Sequence, residues 1–434
     1  MDPSQAHLQD QGVHEPPCRG WWRNPIDERT MKRILHVMPV LILALAPALA
    51  TAQQVTVGGQ IRPRSQYRNP SLSGAGSTGR EFFNDGDGFT TMRARIHADA
   101  KLKGNVRIFA QLQDVRIWGS ETSTLGDFNA DNFDLHQGFV DLSSEDDVWL
   151  GRAGRQEVNL GGQRLIGAVD WTQQARSFDG LRLQRMKDGT GATFLAFQTA
   201  DATAPTQSAD AGVFAGYGKI NNVLGGALGL YAIYNTRNGA LSIDLGTFGF
   251  RQVGKIDRFS YRLESYYQTG NTAGLDVQAF MVGARIGMNL GKGSVTLWYD
   301  YLSGDDDLTD NTSKVFNTLF ATNHKFYGYA DLFLVIPLET GGRGLQDLAV
   351  KGTYKTSEST LIRLNLHSFR ATKQGTLSTK RFGEEIDLVG SWRYNEHLAF
   401  SGGASYVIQG DALAELGRLD RDMTWLYLMV DATF

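Results

Sequence analysis

The feature that most constrains the fold is the stretch from Gly88 to Gln113, where apolar and polar residues alternate strictly. In its first half the even-numbered positions are apolar: Met92, Ala94, Ile96, Ala98, Ala100 and Leu102. The odd-numbered positions are polar and mostly ionic: Thr91, Arg93, Arg95, His97, Asp99 and Lys101. The alternation resumes after a tight turn at Lys103-Gly104-Asn105. Strands in soluble sheets average about 5–6 residues, whereas a tilted strand needs about 9–11 to cross a bilayer. The stretch therefore predicts a membrane-spanning hairpin, with its apolar face on lipid and its ionic face on a lumen.

Composition and charge exclude some classes of protein. The chain has 434 residues, of which 41% are apolar, and a formal net charge of −3. This balance gives no reason to expect nucleic-acid binding. The body of the chain holds no run of 18 apolar residues, so we do not expect a helical membrane protein.

The N-terminal region predicts export. A basic start at Met31-Lys32-Arg33 precedes an apolar run, and Ala50-Thr51-Ala52 is an A-x-A cleavage site, so residues 31–52 are a predicted signal peptide. We interpret residues 1–30 as an extended or wrongly assigned start, and residues 53–434 as the mature domain. Cleavage would remove Cys18, the only cysteine, leaving no disulfide, no thiolate nucleophile and no cysteine metal ligand.

The rest of the chain repeats the alternating pattern. From Val55 to Phe434 it predicts an all-β protein, a transmembrane antiparallel β-barrel of about 18 strands, with short periplasmic turns and long extracellular loops. Twenty strands would result if Leu332 to Ile336 and a neighbour joined the sheet. The longest irregular segment, Ser303 to Gly344, is interpreted as one loop, and we expect residues 323–333 to fold into the mouth as a gate. The last strand ends on the aromatic residue Phe434, the usual ending of bacterial outer-membrane barrels.

If the polar positions of each strand face the interior of the barrel, they form a predicted set of lumen residues. The basic members are Arg62, Arg64, Arg93, Arg95, Lys101, Arg107, Arg182, Arg262, Arg285, Lys351, Lys355, Arg363 and Arg393. The acidic members are Asp99, Asp141, Asp244, Glu264, Asp300, Glu385 and Asp387. Basic positions outnumber acidic ones, so the lumen is expected to be electropositive although the whole chain is slightly acidic. Rings of Arg and Lys favour anions in a pore, unless they merely pair with lumen acids.

Several motifs resemble those of the alginate export porin family. They are Gly154-Arg-Gln-Glu-Val158, Gly162-Gln-Arg-Leu-Ile-Gly167, Asp170-Trp171, Ala175-Arg-Ser-Phe-Asp-Gly180, Asn323 to Phe333 and Glu384-Glu-Ile-Asp-Leu-Val389. The resemblance implies an eighteen-stranded outer-membrane barrel that passes an anionic uronate polysaccharide outward through a constriction lined by arginines and a few acids. Arg155 matches the arginine of the Gly-Arg-Gln motif, and Asp387 matches the acid of the Glu-Ile-Asp-Leu motif.

These observations lead to a hypothesis of passive transport. The expected cargo is alginate-like polymer or uronate oligomers, and the residues expected to line its path are Arg93, Arg95, Arg155, Arg182, Arg363, Arg107 and Asp387. Lipid of the outer membrane and periplasmic export partners are the other expected contacts, and no cofactor or metal is expected. A general anion or sugar-acid uptake porin is the alternative.

An outer-membrane enzyme is a further, less favoured alternative. The sequence has no Gly-x-Ser-x-Gly motif, and none of the mature histidines has an obvious catalytic partner in the sequence.

Overall fold

The computed structural model describes residues 54–72, 86, 88–120, 133–203, 209–307 and 309–434. The predicted signal peptide and the residues before it lie outside this part of the chain. The described strands are β1 Gln54–Asn69, β2 Gly88–Lys101, β3 Val106–Ile117, β4 Phe133–Ser143, β5 Trp149–Gln156, β6 Phe178–Lys187, β7 Thr190–Ala200, β8 Ala211–Val223, β9 Gly226–Arg237, β10 Ile243–Ile256, β11 Phe259–Thr272, β12 Leu275–Asn289, β13 Gly293–Leu302, β14 Thr312–Ser313, β15 Leu345–Lys355, β16 Thr360–Arg370, β17 Arg381–Arg393, β18 Leu398–Gln409 and β19 Met423–Thr433. The helical elements are the 3₁₀ turns Asn323–Lys325 and Leu338–Thr340 and the helix α1 Asp411–Glu415.

The long strands close into one barrel. Each is antiparallel to both of its neighbours, and β1 pairs with both β2 and β19, which leaves no open edge. Backbone bonds between Gly59 and Phe434 extend the closure to the last residue, at 3.0 and 3.1 Å. The two-residue strand β14 only adds to the edge of β12. A barrel of eighteen long strands is thus formed, in which strand backbone groups are bonded within the protein.

The two faces of the strands differ as the alternation predicts. On β16 and β17, Leu364 and Leu388 are 46% and 52% exposed, whereas Asn365 and Asp387 are buried. Ile96 on β2 is likewise exposed, while Arg93 is buried. Apolar side chains therefore form the outer, membrane-facing surface, and polar ones face the interior.

The connectors sort onto two edges of the barrel. Short turns, such as residues 102–105, 188–189 and 257–258, join alternate strand pairs at one edge, called here the turn side. Asp188 and Gly189 both have positive φ, as a two-residue hairpin loop requires. Most connectors at the opposite edge, the loop side, are longer, including residues 157–177 and 303–344.

The predicted fold class is confirmed. The predicted strand from Leu398 to Ile408 is observed as Leu398–Gln409, and the first strand, predicted from Val55 to Tyr67, is two residues longer at its loop-side end. The twenty-strand alternative is not observed, because Leu332 to Ile336 lie in an irregular segment. In the described part of the chain, no helix combines the length and the apolar character needed to cross a membrane.

The lipid-facing assignment can be tested at Leu388. Replacing it with Arg puts a charge on the membrane-facing surface near the middle of β17, which we expect to cost about 2–4 kcal/mol of unfolding free energy. Leu241, 64% exposed in a loop-side connector, is the matched position, and Leu241→Arg should cost no more than about 1 kcal/mol. Denaturant titration of the barrel folded in lipid vesicles measures both. Equal costs at the two positions would contradict the assignment.

Candidate functional site

Two loop-side segments fold into the barrel. The first inserted segment (residues 157–177) buries Leu165 and Ile166, and the second inserted segment (residues 303–344) buries Phe316 and Phe333. Both pack with inward-facing strand residues in one apolar cluster. The segments also bind each other, because Ile166 and Phe320 form a parallel bridge. The barrel interior is therefore a packed site, built from wall and loops together.

Arg164 of the first inserted segment joins both segments to the wall. Its guanidinium lies 2.8 Å from Glu264 and 2.6 Å from Asp300, and Nη1 donates to the Tyr327 hydroxyl at 2.8 Å. It also lies over the Phe326 ring, 3.6 Å from the centroid. Burial alone would lower the pKa of Arg164, but the carboxylates of Asp300 and Glu264 outweigh it and raise this pKa. The arginine therefore stays charged and anchors the first inserted segment.

An arginine ladder on β1 and β2 comprises Arg62, Arg64, Arg93 and Arg95. Asp170 of the first inserted segment lies 3.3 Å from Arg62, 2.8 Å from Arg93 and 3.8 Å from Arg95. Arg64 donates to the Trp171 carbonyl at 2.8 Å and stacks on its ring at 4.2 Å. The ladder thus holds the first inserted segment against the wall.

The predicted path residues Arg93 and Arg95 are placed inside the barrel, but they already have protein partners. Arg93 donates to Gln60 at 2.5 and 3.0 Å in addition to its ion pair with Asp170. Arg95 donates to Gln113 at 2.7 Å and lies 3.3 Å from Glu157. Neither arginine pairs with Asp99, the acid on the polar parity of β2. Asp99 instead binds Arg107.

A second basic group lies towards the turn side. Arg107 bridges Asp99 at 2.8 Å and Asp141 at 3.1 Å. Arg152 also binds Asp141, at 2.6 Å, and stacks on Phe139. Arg182 lies opposite Arg152 in the sheet and donates to Gln184.

Arg363 and Asp387 line the wall on β16 and β17. Arg363 is 3.4 Å from the hydroxyl of Ser391. Asp387 is fully buried and accepts a bond from Ser405 at 2.5 Å. Asp387, one of the acids predicted to line the lumen, is therefore shielded from solvent in the barrel wall.

Arg155 is placed differently from the other predicted path residues. On β5 it lies between Gly154 and Gln156, whose positions face inward, so its own side chain faces outward. It pairs at 2.7 Å with Asp179, whose side chain is 58% exposed. Asp179 shares its strand parity with the outward-facing Leu181. Arg155 thus lies on the outer surface near the loop side, so the geometry gives it no place among the lumen-lining residues.

The second inserted segment docks on buried carboxylates. The backbone N–H of Ala330 donates to Glu385 at 2.8 Å, and Gly328 packs against the same carboxylate with φ of 82°. Arg418 lies 3.2 Å from Glu339, which is also fully buried. The expected insertion of residues 323–333 is observed, since Tyr327 and Phe333 are only 1% exposed.

A cavity of about 590 Å³ remains on the loop side. Its described lining includes four arginines and a single carboxylate residue, together with Trp171: Arg64, Arg68, Arg116, Arg176 and Asp331. Burial lowers the pKa of Arg176 to about 10, which still leaves it charged at neutral pH. The cavity is therefore suited to an anion.

Three histidines, for which the sequence offered no obvious partner, are paired with carboxylates. His136 lies 2.6 Å from Glu157, His324 2.6 Å from Asp331 and His367 2.8 Å from Asp347. Ser177 lies 3.4 Å from Nδ1 of His136, but its hydroxyl donates to the His136 carbonyl at 2.6 Å. This hydroxyl is engaged elsewhere, so the group has no activated nucleophile. Among the described residues no cluster suited to a metal ion is found.

Sequence reasoning missed several functional contacts. Arg164 and Asp170 lie within stretches that the resemblance singled out, but neither was assigned a role. A usable signal was the apolar pair Leu165 and Ile166, which a loop in solvent would leave exposed. Asp347, fully buried beside His367, was not assigned to the lumen at all.

Comparisons with known proteins agree with this architecture. The sequence matches the family described as Alginate export over residues 53–426. No curated protein sequence matches significantly.

Solved structures show the same fold at low identity. The structure of Pseudomonas aeruginosa OpdO is similar with a TM-score of 0.59 and 12% identity, over 88% of this chain and 98% of the other. Acinetobacter baumannii OccAB4 has the same TM-score and identity, over 88% and 99% of the two chains. The outer-membrane protein OprD from Pseudomonas aeruginosa has a TM-score of 0.56 and 12% identity, over 88% and 95%.

Docking of the second inserted segment can be tested at Gly328. An added methyl group would overlap the Glu385 carboxylate, so Gly328→Ala should undock the segment and raise single-channel conductance. Gly274→Ala is the control, because its φ is also positive, at 85°, but its Cβ would meet nothing within 4 Å. Planar-bilayer recordings compare the two variants. Unchanged conductance in Gly328→Ala, and in a deletion of residues 323–333, would contradict the gate.

Proposed function

Because the chain belongs to the alginate export family and folds as an outer-membrane β-barrel channel, we propose that it is a passive channel for anionic polysaccharide. The cargo in this proposal is alginate-like polymer or its uronate oligomers, and the path is electropositive. Transport of this kind requires no reaction and no cofactor.

The observation that carries the proposal is the loop-side cavity. Four arginines and one described carboxylate residue, Asp331, line it. Asp331 is itself paired with His324 at 2.6 Å, and Arg116 is paired with Asp114 of its own strand. A uronate polymer presents one carboxylate on each sugar. Guanidinium groups bind carboxylates through paired, charge-assisted hydrogen bonds, so repeated arginines offer such a chain successive weak contacts.

The arginine ladder adds positive charge beside this surface. Arg62 and Arg93 are only 3% and 1% exposed and already bind protein groups, so in this proposal they act through their charge and not by contact with the cargo. The predicted residues Arg182, Arg363 and Arg107 continue the basic wall towards the turn side. Arg155, on the outer surface, is left out of the proposed path.

Export is proposed because of the family's description. A general anion or sugar-acid uptake porin remains the alternative, and it would use the same basic wall for smaller ligands. The two differ in cargo, so selective passage of uronate oligomers over small monovalent anions favours the first.

Ion selectivity tests the proposal. Under a KCl gradient in planar bilayers, the purified channel should show a reversal potential that indicates preference for Cl⁻. Replacing Arg93 and Arg95 with Ala should weaken that preference, because two cations are lost and Asp170 and Glu157 lose their compensating charge. Lys103→Ala is the control, because it removes a positive charge from an exposed turn, and it should have little effect on the preference for Cl⁻. Preference for K⁺ in the unmodified channel would contradict the electropositive path.

A further inference from the structure

Three cations meet on the turn side of the inserted segments. Arg251 lies on β10 and Arg285 on β12, both in the turn-side half of their strands. Lys325 belongs to a 3₁₀ turn of the second inserted segment. Arg251 packs over Gly162 of the first inserted segment, where a Cβ would come within 2.7 Å of its Nε. The group thus lies where wall and inserted segments meet.

These cations differ from the ladder because they lack close carboxylate partners. Within the described part of the chain, Arg285 makes neither a hydrogen bond nor an ion pair. The side chain of Lys325 makes none there either. Among the described residues, the one carboxylate paired with Arg251 is Glu264, at 3.8 Å. Glu264 already accepts Arg164 at 2.8 Å and lies 3.3 Å from Arg262, so its charge is shared among three guanidinium groups.

The surroundings add positive charge to the group. Arg285 lies directly opposite Arg262 in the register of β11 and β12, and both stand over Trp298, at 5.6 and 3.8 Å from its centroid. Burial lowers the pKa of Lys325, and the nearby guanidinium groups of Arg251 and Arg285 lower it further. Like charges held this close repel one another, and an anion placed among them would relieve the repulsion.

The group is partly exposed inside the barrel. Arg251 and Arg285 are half-buried and Lys325 is exposed. A ligand could therefore reach their charged ends without displacing a packed side chain.

We propose that Arg251, Arg285 and Lys325 form a carboxylate-binding subsite for an anionic saccharide on the turn side of the inserted segments. This inference rests on the proposed function, because it names a place where that cargo binds. Arg285 supplies a planar fork for a carboxylate, and Lys325 supplies a point charge carried by the second inserted segment. A bound carboxylate would therefore contact both the barrel wall and the proposed gate.

Current block by a defined oligosaccharide tests the subsite. A trimer of mannuronate is added to either side of the channel in planar bilayers, with the neutral trimer maltotriose as the comparison probe. We expect the uronate to block at lower concentration from the turn side than from the loop side, and maltotriose to block weakly from both. The double variant Arg285→Gln, Lys325→Gln should need about tenfold more uronate for half-block, because charge-assisted hydrogen bonds are lost.

Lys292→Gln is the matched control, since Lys292 is exposed in the turn that follows the strand of Arg285. It removes a turn-side charge outside the group and should leave the half-block concentration unchanged. Heat-modified gel mobility equal to that of the parent shows that each variant is folded.

The possible failures are distinguishable. If the parent is blocked by the uronate and the double variant is blocked equally, the subsite is wrong while the proposed function stands. If uronate and maltotriose block the parent equally, the proposed function fails and the subsite fails with it.

Discussion

The structure depends on one constraint, which is that a strand in lipid has no water to bond its backbone. All of its N–H and C=O groups must find partners in the protein, and only a closed sheet provides them. The pairing of β1 with β19 supplies the last set of bonds. Once the sheet is closed, each strand has one face on lipid and one on the interior, so charged side chains in the middle of the membrane-spanning strands are placed inside.

That confinement explains the charge pairs of the interior. A buried ion is costly unless it is paired and hydrogen-bonded, and the inserted segments supply partners. Arg164 satisfies Glu264 and Asp300, while Asp170 compensates the arginine ladder. The same bonds hold the segments in the barrel. In the proposed function, cations that lack such partners among the described residues, Arg285 and Lys325, are available to a ligand, so that one charged interior would serve both as a packed scaffold and as an anion path.

The sequence predicted the barrel well because strand alternation is a local signal. The period of two in β2 and β3 is visible without knowing what the strands contact, and the lengths of the connectors order them into two edges. The insertion of residues 323–333 was also predicted. Ion-pair partners were not, because they are distant in the chain: Arg93 and Asp170 are 77 residues apart, and Arg164 and Asp300 are 136 apart. Arg155 was assigned from a motif, and its strand parity, which the motif does not encode, places it on the outer surface.

The central claim is that the interior favours an acidic saccharide over a neutral one. The most direct measurement is the flux of two oligosaccharides of equal length, one uronate and one neutral, into vesicles that carry the purified channel, at low and at high salt. The account predicts faster entry of the uronate at low salt and a smaller difference at high salt, because screening weakens its attraction to the arginines. Equal or faster entry of the neutral oligosaccharide at low salt would contradict it.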